Sequence, residues 1–244
     1  MVRRSAQTLI AIGMVLAASL ALGTANQAHA ASTSTTKPKV GQCRVISYKR
    51  AAAVSDDRKP TSCSKRHNAV TFAVPTTTTP LARLTQDQLT AIGAHTCTEP
   101  FLKMLGRTSV RRAESAYTFV FFQPTTAQMQ AGANWFRCDL VLDAGKKMLP
   151  LPTRLRHPVL PKRADDRTER CLTGTHLVTP CSTKHAYRPI DAIRFKPIAY
   201  PSRADFFQAA ARLCPARTGY VTWVSADRWT DGDRVLVCYA RTRK

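Results

Sequence analysis

Two short stretches carry the side chains best suited to do chemistry. Cys63-Ser64-Lys65-Arg66-His67 returns as Cys181-Ser182-Thr183-Lys184-His185, placing a thiol and an imidazole four positions apart in each. A thiolate and an imidazole at that spacing can ligate one ion, and the two units together could offer zinc four ligands: Cys63, His67, Cys181 and His185. The paired spacings usual in zinc sites are missing, however, and an oxidising compartment would consume the thiols first. His67 and His185 are therefore expected to cap a turn or pack on a sheet, with a functional surface role as the alternative. His95, His157 and His176 have no counterpart in the other stretch and are assigned no role. No metal and no cofactor is expected.

Acid–base and nucleophilic constellations are thin. The chain holds no Gly-x-Ser-x-Gly elbow, no His-Glu-x-x-His and no phosphate-cradling glycine loop. Its three glutamates, Glu99, Glu114 and Glu169, pair with no other carboxylate in a recognisable acid–base arrangement. Asp56-Asp57 and Asp165-Asp166 sit in polar sequence and read as solvated charges. A non-enzymatic protein is the expectation.

The elements that position these residues repeat as well. Each Cys-x-x-x-His unit is followed by a β-branched or aromatic run, then by a Cys closing an apolar helical stretch, Cys97 or Cys214. A glycine then precedes a last Cys by six positions, Gly132 to Cys138 and Gly232 to Cys238. A period near 100 residues is too long for a solenoid unit, so the chain reads as two tandem copies of one domain. Each copy holds four cysteines, and four allow three pairings. First-to-second and third-to-fourth is favoured: Cys43–Cys63 and Cys97–Cys138, then Cys171–Cys181 and Cys214–Cys238. Loops of this size contribute roughly 3 kcal/mol each in the chain-entropy picture.

Cys43 to Tyr48 and Ala69 to Val74 read as strands across a polar loop. Thr85 with Gln88 is a capping box for a helix carrying Leu89, Ile92 and Cys97; Pro100 should end or kink it, with a further turn before Gly106. Tyr117–Phe122 and Trp135–Leu142 are strands flanking a short turn or helix at Thr125–Gly132. In the second copy Ser202 and Asp205 cap a helix whose apolar face is Phe206, Ala210, Leu213 and Cys214, and Tyr220–Val224 and Val235–Ala240 are strands. The expected class is α+β: two small disulfide-stapled domains, each a β-β-α-β-β unit with one main helix packed on an antiparallel sheet. In Trp229-Thr230-Asp231-Gly232-Asp233-Arg234, Gly232 suits a positive φ, and Asp233 with Arg234 could fix the turn through a local ion pair. The first copy keeps only Gly132 there, which favours a structural role for the motif.

Residues 1–30 have the shape of an export signal: Arg3 and Arg4, an apolar run from Leu9 to Gly23, then Ala28-His29-Ala30. The run is short for a membrane span, so no transmembrane anchor is expected after cleavage, although retention as an anchor is the alternative. Residues 31–40 form a flexible leader, 41–149 the first domain, 150–168 a Pro/Arg-rich linker and 169–244 the second domain. The formal charge of the whole chain is +22, and the excess is spread along it: +8 over 31–144, +5 over 145–168 and +7 over 169–244. Such a field draws a protein to polyanions. Nucleic acid ranks low among them, because no recognition motif or aromatic-interleaved basic strip is present.

Gly41-Gln42-Cys43, Cys63 with His67, the helix-end Cys97 and Gly132 with Cys138 resemble the septum-formation domain of actinobacterial envelope proteins. The ending Trp229-x-x-Gly232-Asp233-Arg234-x-x-x-Cys238 is similar to that family as well. The resemblance implies an extracytoplasmic protein linked to division or the cell wall, in a family whose members sometimes duplicate the domain and whose molecular activity is largely undefined. Family members commonly place a proline before the histidine and an acidic residue after it. Arg66-His67-Asn68 and Lys184-His185-Ala186 do not, so no His–carboxylate site is carried over. The resulting reading is a secreted, extracytoplasmic or wall-associated binding or scaffold module for an anionic cell-wall polymer or an envelope protein. The rivals are a wall-modifying hydrolase with an interdomain site using His67 or His185, and a secreted protein-binding effector.

Overall fold

The computed structural model describes residues 36–196 and 198–242; the expected signal over 1–30 and the start of the 31–40 leader lie outside them. In the first half β1 (Cys43–Arg44), α1 (Tyr48–Ala51) and β2 (Ala69–Ala73) precede the long α2 (Gln86–Leu105). There follow α3 (Ser109–Ala113), β3 (Tyr117–Phe122), α4 (Thr126–Gln130), β4 (Arg137–Asp143) and β5 (Met148–Leu149). The second half runs β6 (Arg170–Leu172), β7 (Val178–Pro180), β8 (Tyr187–Arg194), α5 (Arg203–Leu213), β9 (Thr218–Trp223), α6 (Ala226–Thr230) and β10 (Val235–Arg241). This is an α+β architecture of two antiparallel sheets, ordered β1-β2-β4-β3 with β5 on β4, and β7-β6-β8-β10-β9.

β4 is central and covered on both faces, so six of its seven residues are buried, the charged Arg137 and Asp139 among them. Alternation sends Leu140 and Leu142 to one face, where they meet Phe101, Leu102 and Leu105 of α2. Val141 goes to the other face, against Ile46, Ala69 and Phe122. α2 starts at the reciprocal capping box of Thr85 and Gln88. It then crosses the sheet so closely at Gly93 that an added Cβ would lie 2.5 Å from the Phe121 ring.

Several expectations change. The strand expected over Cys43–Tyr48 stops at Arg44, because the Ser47 hydroxyl accepts from the Arg50 amide and turns the chain into α1. Of the outcomes expected at Pro100, the helix does not end there but runs on through the expected further turn to Leu105. A mid-helix proline costs about 3 kcal/mol. Burying Phe101 and Leu105 just beyond it contributes about 1.5–3 kcal/mol each and outweighs that cost. On α5 the expected Phe206, Ala210 and Cys214 pack on the core and Ala209 is buried as well, whereas Leu213 is 54% exposed. The simple β-β-α-β-β order is exceeded in both halves: β5 extends one sheet and β7 edges the other.

The two sheets place equivalent strands in equivalent register. Asp139 of β4 lies between Thr71 and Val120, and Tyr239 of β10 between Pro189 and Tyr220. Arg44 pairs with Ala69 where Leu172 pairs with Tyr187. Each half holds two disulfides. Cys43–Cys63 and Cys171–Cys181 staple the opening strands, with Cα–Cα distances of 5.2 and 4.9 Å. Cys97–Cys138 and Cys214–Cys238 tie the main helix to the central strand, at 5.7 and 5.9 Å.

The halves also interlock. Val110 and Ala113 of α3 pack into the core of the second sheet. The amide of Arg170 donates to the Glu114 carbonyl at 2.7 Å, and that of Ala116 to the Thr168 carbonyl at 2.8 Å. The Pro/Arg-rich stretch is pinned too. Leu151 and Leu160 are buried in the first core, and the Val159 amide donates to the Met104 carbonyl.

Candidate functional site

His67 and His185 occupy matching places after the staple cysteines. Each is buried, and each ring Nδ1 meets the carbonyl two residues back, Lys65 at 2.9 Å and Thr183 at 2.7 Å. These bonds tie the ring to its own turn. The Nε2 of His67 is enclosed without a hydrogen-bond partner. The structure does not bring the two histidines to a shared site. His67 borders a cavity of about 430 Å3 with Phe72, Lys103, Met104, Leu155 and His157. A larger cavity of about 500 Å3 lies between α2 and β3 on one side and Ser225, Asp227 and Arg228 on the other, and neither histidine lines it.

Gly132 and Gly232 have φ of +91° and +96°, a region that favours glycine, and their amides close the same turn onto Met129 and Trp229. Trp229 is buried among Phe195, Tyr200 and Phe206, and its indole donates to the Ile198 carbonyl at 3.0 Å. The expected Asp233–Arg234 pair does not form. Neighbouring side chains entering a strand point to opposite faces, and Asp233 turns inward to full burial. There it accepts from Arg228 of α6 at 2.7 Å and from Arg112 of α3 through Nε at 3.0 Å, with a second Arg112 nitrogen closer still. The motif thus clamps the first half to the second. The Arg228 guanidinium is held below its ordinary range by burial, with the Asp233 charge acting against that.

A second ionic cluster escaped sequence reasoning. Arg137 is almost fully buried and donates to Asp139 and Asp56, both at 2.9 Å, while Arg58 reaches Asp56 at 2.6 Å. Thr71 donates to Asp139 at 2.7 Å. Asp56 was expected to be solvated; instead it is 5% exposed. The reason is that its partner Arg137 stands 81 positions away and is brought back by the sheet. Burial raises the Asp139 carboxyl above its usual range, opposed by the Arg137 charge and the Thr71 hydroxyl. For Asp56 burial pulls upward too, but hydrogen bonds from Arg58 and Arg137 prevail and lower it. The readable signal was Arg137, Asp139 and Asp143, three charges on one face of a strand whose other face is Cys138, Leu140 and Leu142.

Asp166, Glu169 and Cys181 bring potential metal-ligand atoms within 4.8 Å of one another. The sulfur is committed to a disulfide and both carboxylates are held by Arg188, so this group offers no thiolate and no free carboxylate. No helix among the described residues is long and apolar enough to cross a membrane.

No curated protein and no solved structure matches the chain. A family model described as Septum formation matches residues 40–238 as one span, crossing both halves and both sheets. That family points to a division- or envelope-related role, and four disulfides are consistent with an extracytoplasmic protein. The chain belongs to the septum formation family.

Proposed function

We propose that the chain is an exported, non-enzymatic envelope module that binds or scaffolds anionic wall polymers or division-associated proteins, built from two tandem copies of one unit. The observation that carries the polymer reading is the charge: 37 Lys and Arg against 15 Asp and Glu. Closing Asp56, Asp139 and Asp233 internally with Arg137, Arg112 and Arg228 removes as many cations as carboxylates, so the basic excess stays on the rest of the chain. The matched strand registers and matched histidine turns support the duplication.

Identical backbone tethering of His67 and His185 in unlike surroundings favours an architectural role for both over a hydrolytic one. Purified protein mixed with isolated cell walls should sediment with them at low salt and be released as salt rises, because exposed charges are screened within about 10 Å at 0.1 M. Equal recovery in the supernatant at low salt would contradict the reading. Turnover of peptidoglycan or a wall ester, lost in His67→Ala or His185→Ala, would favour the hydrolase.

A further inference from the structure

Asp56 and Arg137 of the buried ionic cluster line a crevice of about 350 Å3 that also includes Arg44 and Trp135. The fold does not require polar residues here. At the equivalent positions of the second sheet, Arg44, Thr71, Arg137 and Asp139 become Leu172, Pro189, Val237 and Tyr239, in the same register. The second half therefore fills this place with uncharged side chains, while the first maintains buried charge, which is costly to desolvate.

Two residues lining the crevice each hold an enclosed N–H without an acceptor. Arg44 is 5% exposed, has no carboxylate oxygen within 4.0 Å among the described residues, and its Nε has no hydrogen-bond partner. Its other nitrogens reach only the Arg58 carbonyl and the Gln42 amide oxygen, both at 2.8 Å. Burial and the Arg137 charge lower its pKa. Trp135 is 6% exposed, and its indole Nε1 is likewise without an acceptor. Lys37 and Lys59 add two exposed cations to the lining, against one further carboxylate, Asp57. Buried N–H donors facing an excess of cations call for an acceptor that carries negative charge.

We propose that this crevice is an oxyanion site, taking one phosphate or phosphodiester group of a larger anionic partner between Arg44 and Trp135. The proposal rests on the polyanion reading above and gives it a place on the molecule. Its test is calorimetric titration of the secreted full chain with inorganic phosphate at constant ionic strength. Parallel arms use a glycerol-phosphate oligomer, representing a wall polymer, and phosphatidylglycerol vesicles, representing a lipid headgroup.

Trp135→Phe keeps an aromatic ring but removes the donor, and should weaken phosphate about tenfold. Lys59→Gln, an exposed change that does not threaten folding, should weaken it severalfold, and Lys49→Gln on α1 should leave it unchanged. The arm in which Trp135→Phe reproduces that loss identifies the source of the phosphate. Saturable phosphate binding absent in the native chain, or equal in Trp135→Phe, Lys59→Gln and native protein, overturns the site. In that case salt-sensitive wall binding that persists leaves the polyanion reading standing. Conversely, phosphate binding without any wall binding retains the site and removes the reading.

Discussion

Replacing Asp233 by Asn should unfasten the two halves. The carboxylate is fully buried and serves two arginines, one from each half, so an amide of the same shape leaves both guanidiniums without their counter-charge. Removing one member of a buried ion pair costs about 3–5 kcal/mol. The Arg112 and Arg228 side chains keep 17% and 11% of their exposure, so the lower end applies, about 3 kcal/mol. For a unit of this size that is a fall in Tm of about 6–12 °C. Urea unfolding followed by tryptophan fluorescence reads both halves, because Trp135 lies in the first and Trp223 and Trp229 in the second. Adding Arg112→Met completes a cycle in which the coupling energy should be about 1 kcal/mol or more. The reasoning fails if Asp233→Asn shifts stability by no more than about 0.5 kcal/mol, the effect expected of the exposed control Asp231→Asn.

Burial pushes the Asp143 carboxyl up to about 6, with the Arg170 charge acting against it. The folded pKa is raised, so the native protein holds its proton longer than the unfolded chain, and stability falls as pH rises from about 4 to about 6. Asp143→Asn should gain about 1–3 kcal/mol relative to native protein between pH 4 and pH 7; a pH-independent difference in Tm would refute this. Removing the Cys97–Cys138 bridge, which closes 41 residues, should cost about 4 kcal/mol, against about 3 for Cys171–Cys181, which closes 10. The reverse order of urea midpoints would contradict the loop-closure account. Gly93→Ala should lower Tm through overpacking on Phe121 at about 1–3 kcal/mol, whereas a rise would show that helix propensity wins.

What could be read from the sequence was local. Thr85 with Gln88 and Ser202 with Asp205 announce the two main helices because a capping box is complete within four residues. Gly132 and Gly232 announce their turns because positive φ leaves few alternatives. What stayed hidden needs the folded sheet. Asp56 and Arg137 lie 81 positions apart and Arg112 and Asp233 lie 121 apart, so neither buried cluster leaves a short-range pattern. Pro100 left open whether the helix ends or goes on to Gly106, because propensity is local, while the burial of Phe101 and Leu105 that decides it depends on β4 and the 150–168 stretch. Leu213 misled in the opposite way: an apolar residue at the right helical spacing is left outside because α5 ends there, while Cys214 next to it is drawn to Cys238.

Whether the basic chain holds phosphate-bearing envelope polymer is tested most directly by sedimentation with walls before and after their phosphate polymers are stripped chemically. At low salt the protein should pellet with intact walls, stay largely in solution with stripped walls, and leave the pellet as salt is raised. Equal pelleting with both wall preparations, unchanged by salt, or no pelleting with either, would contradict the account.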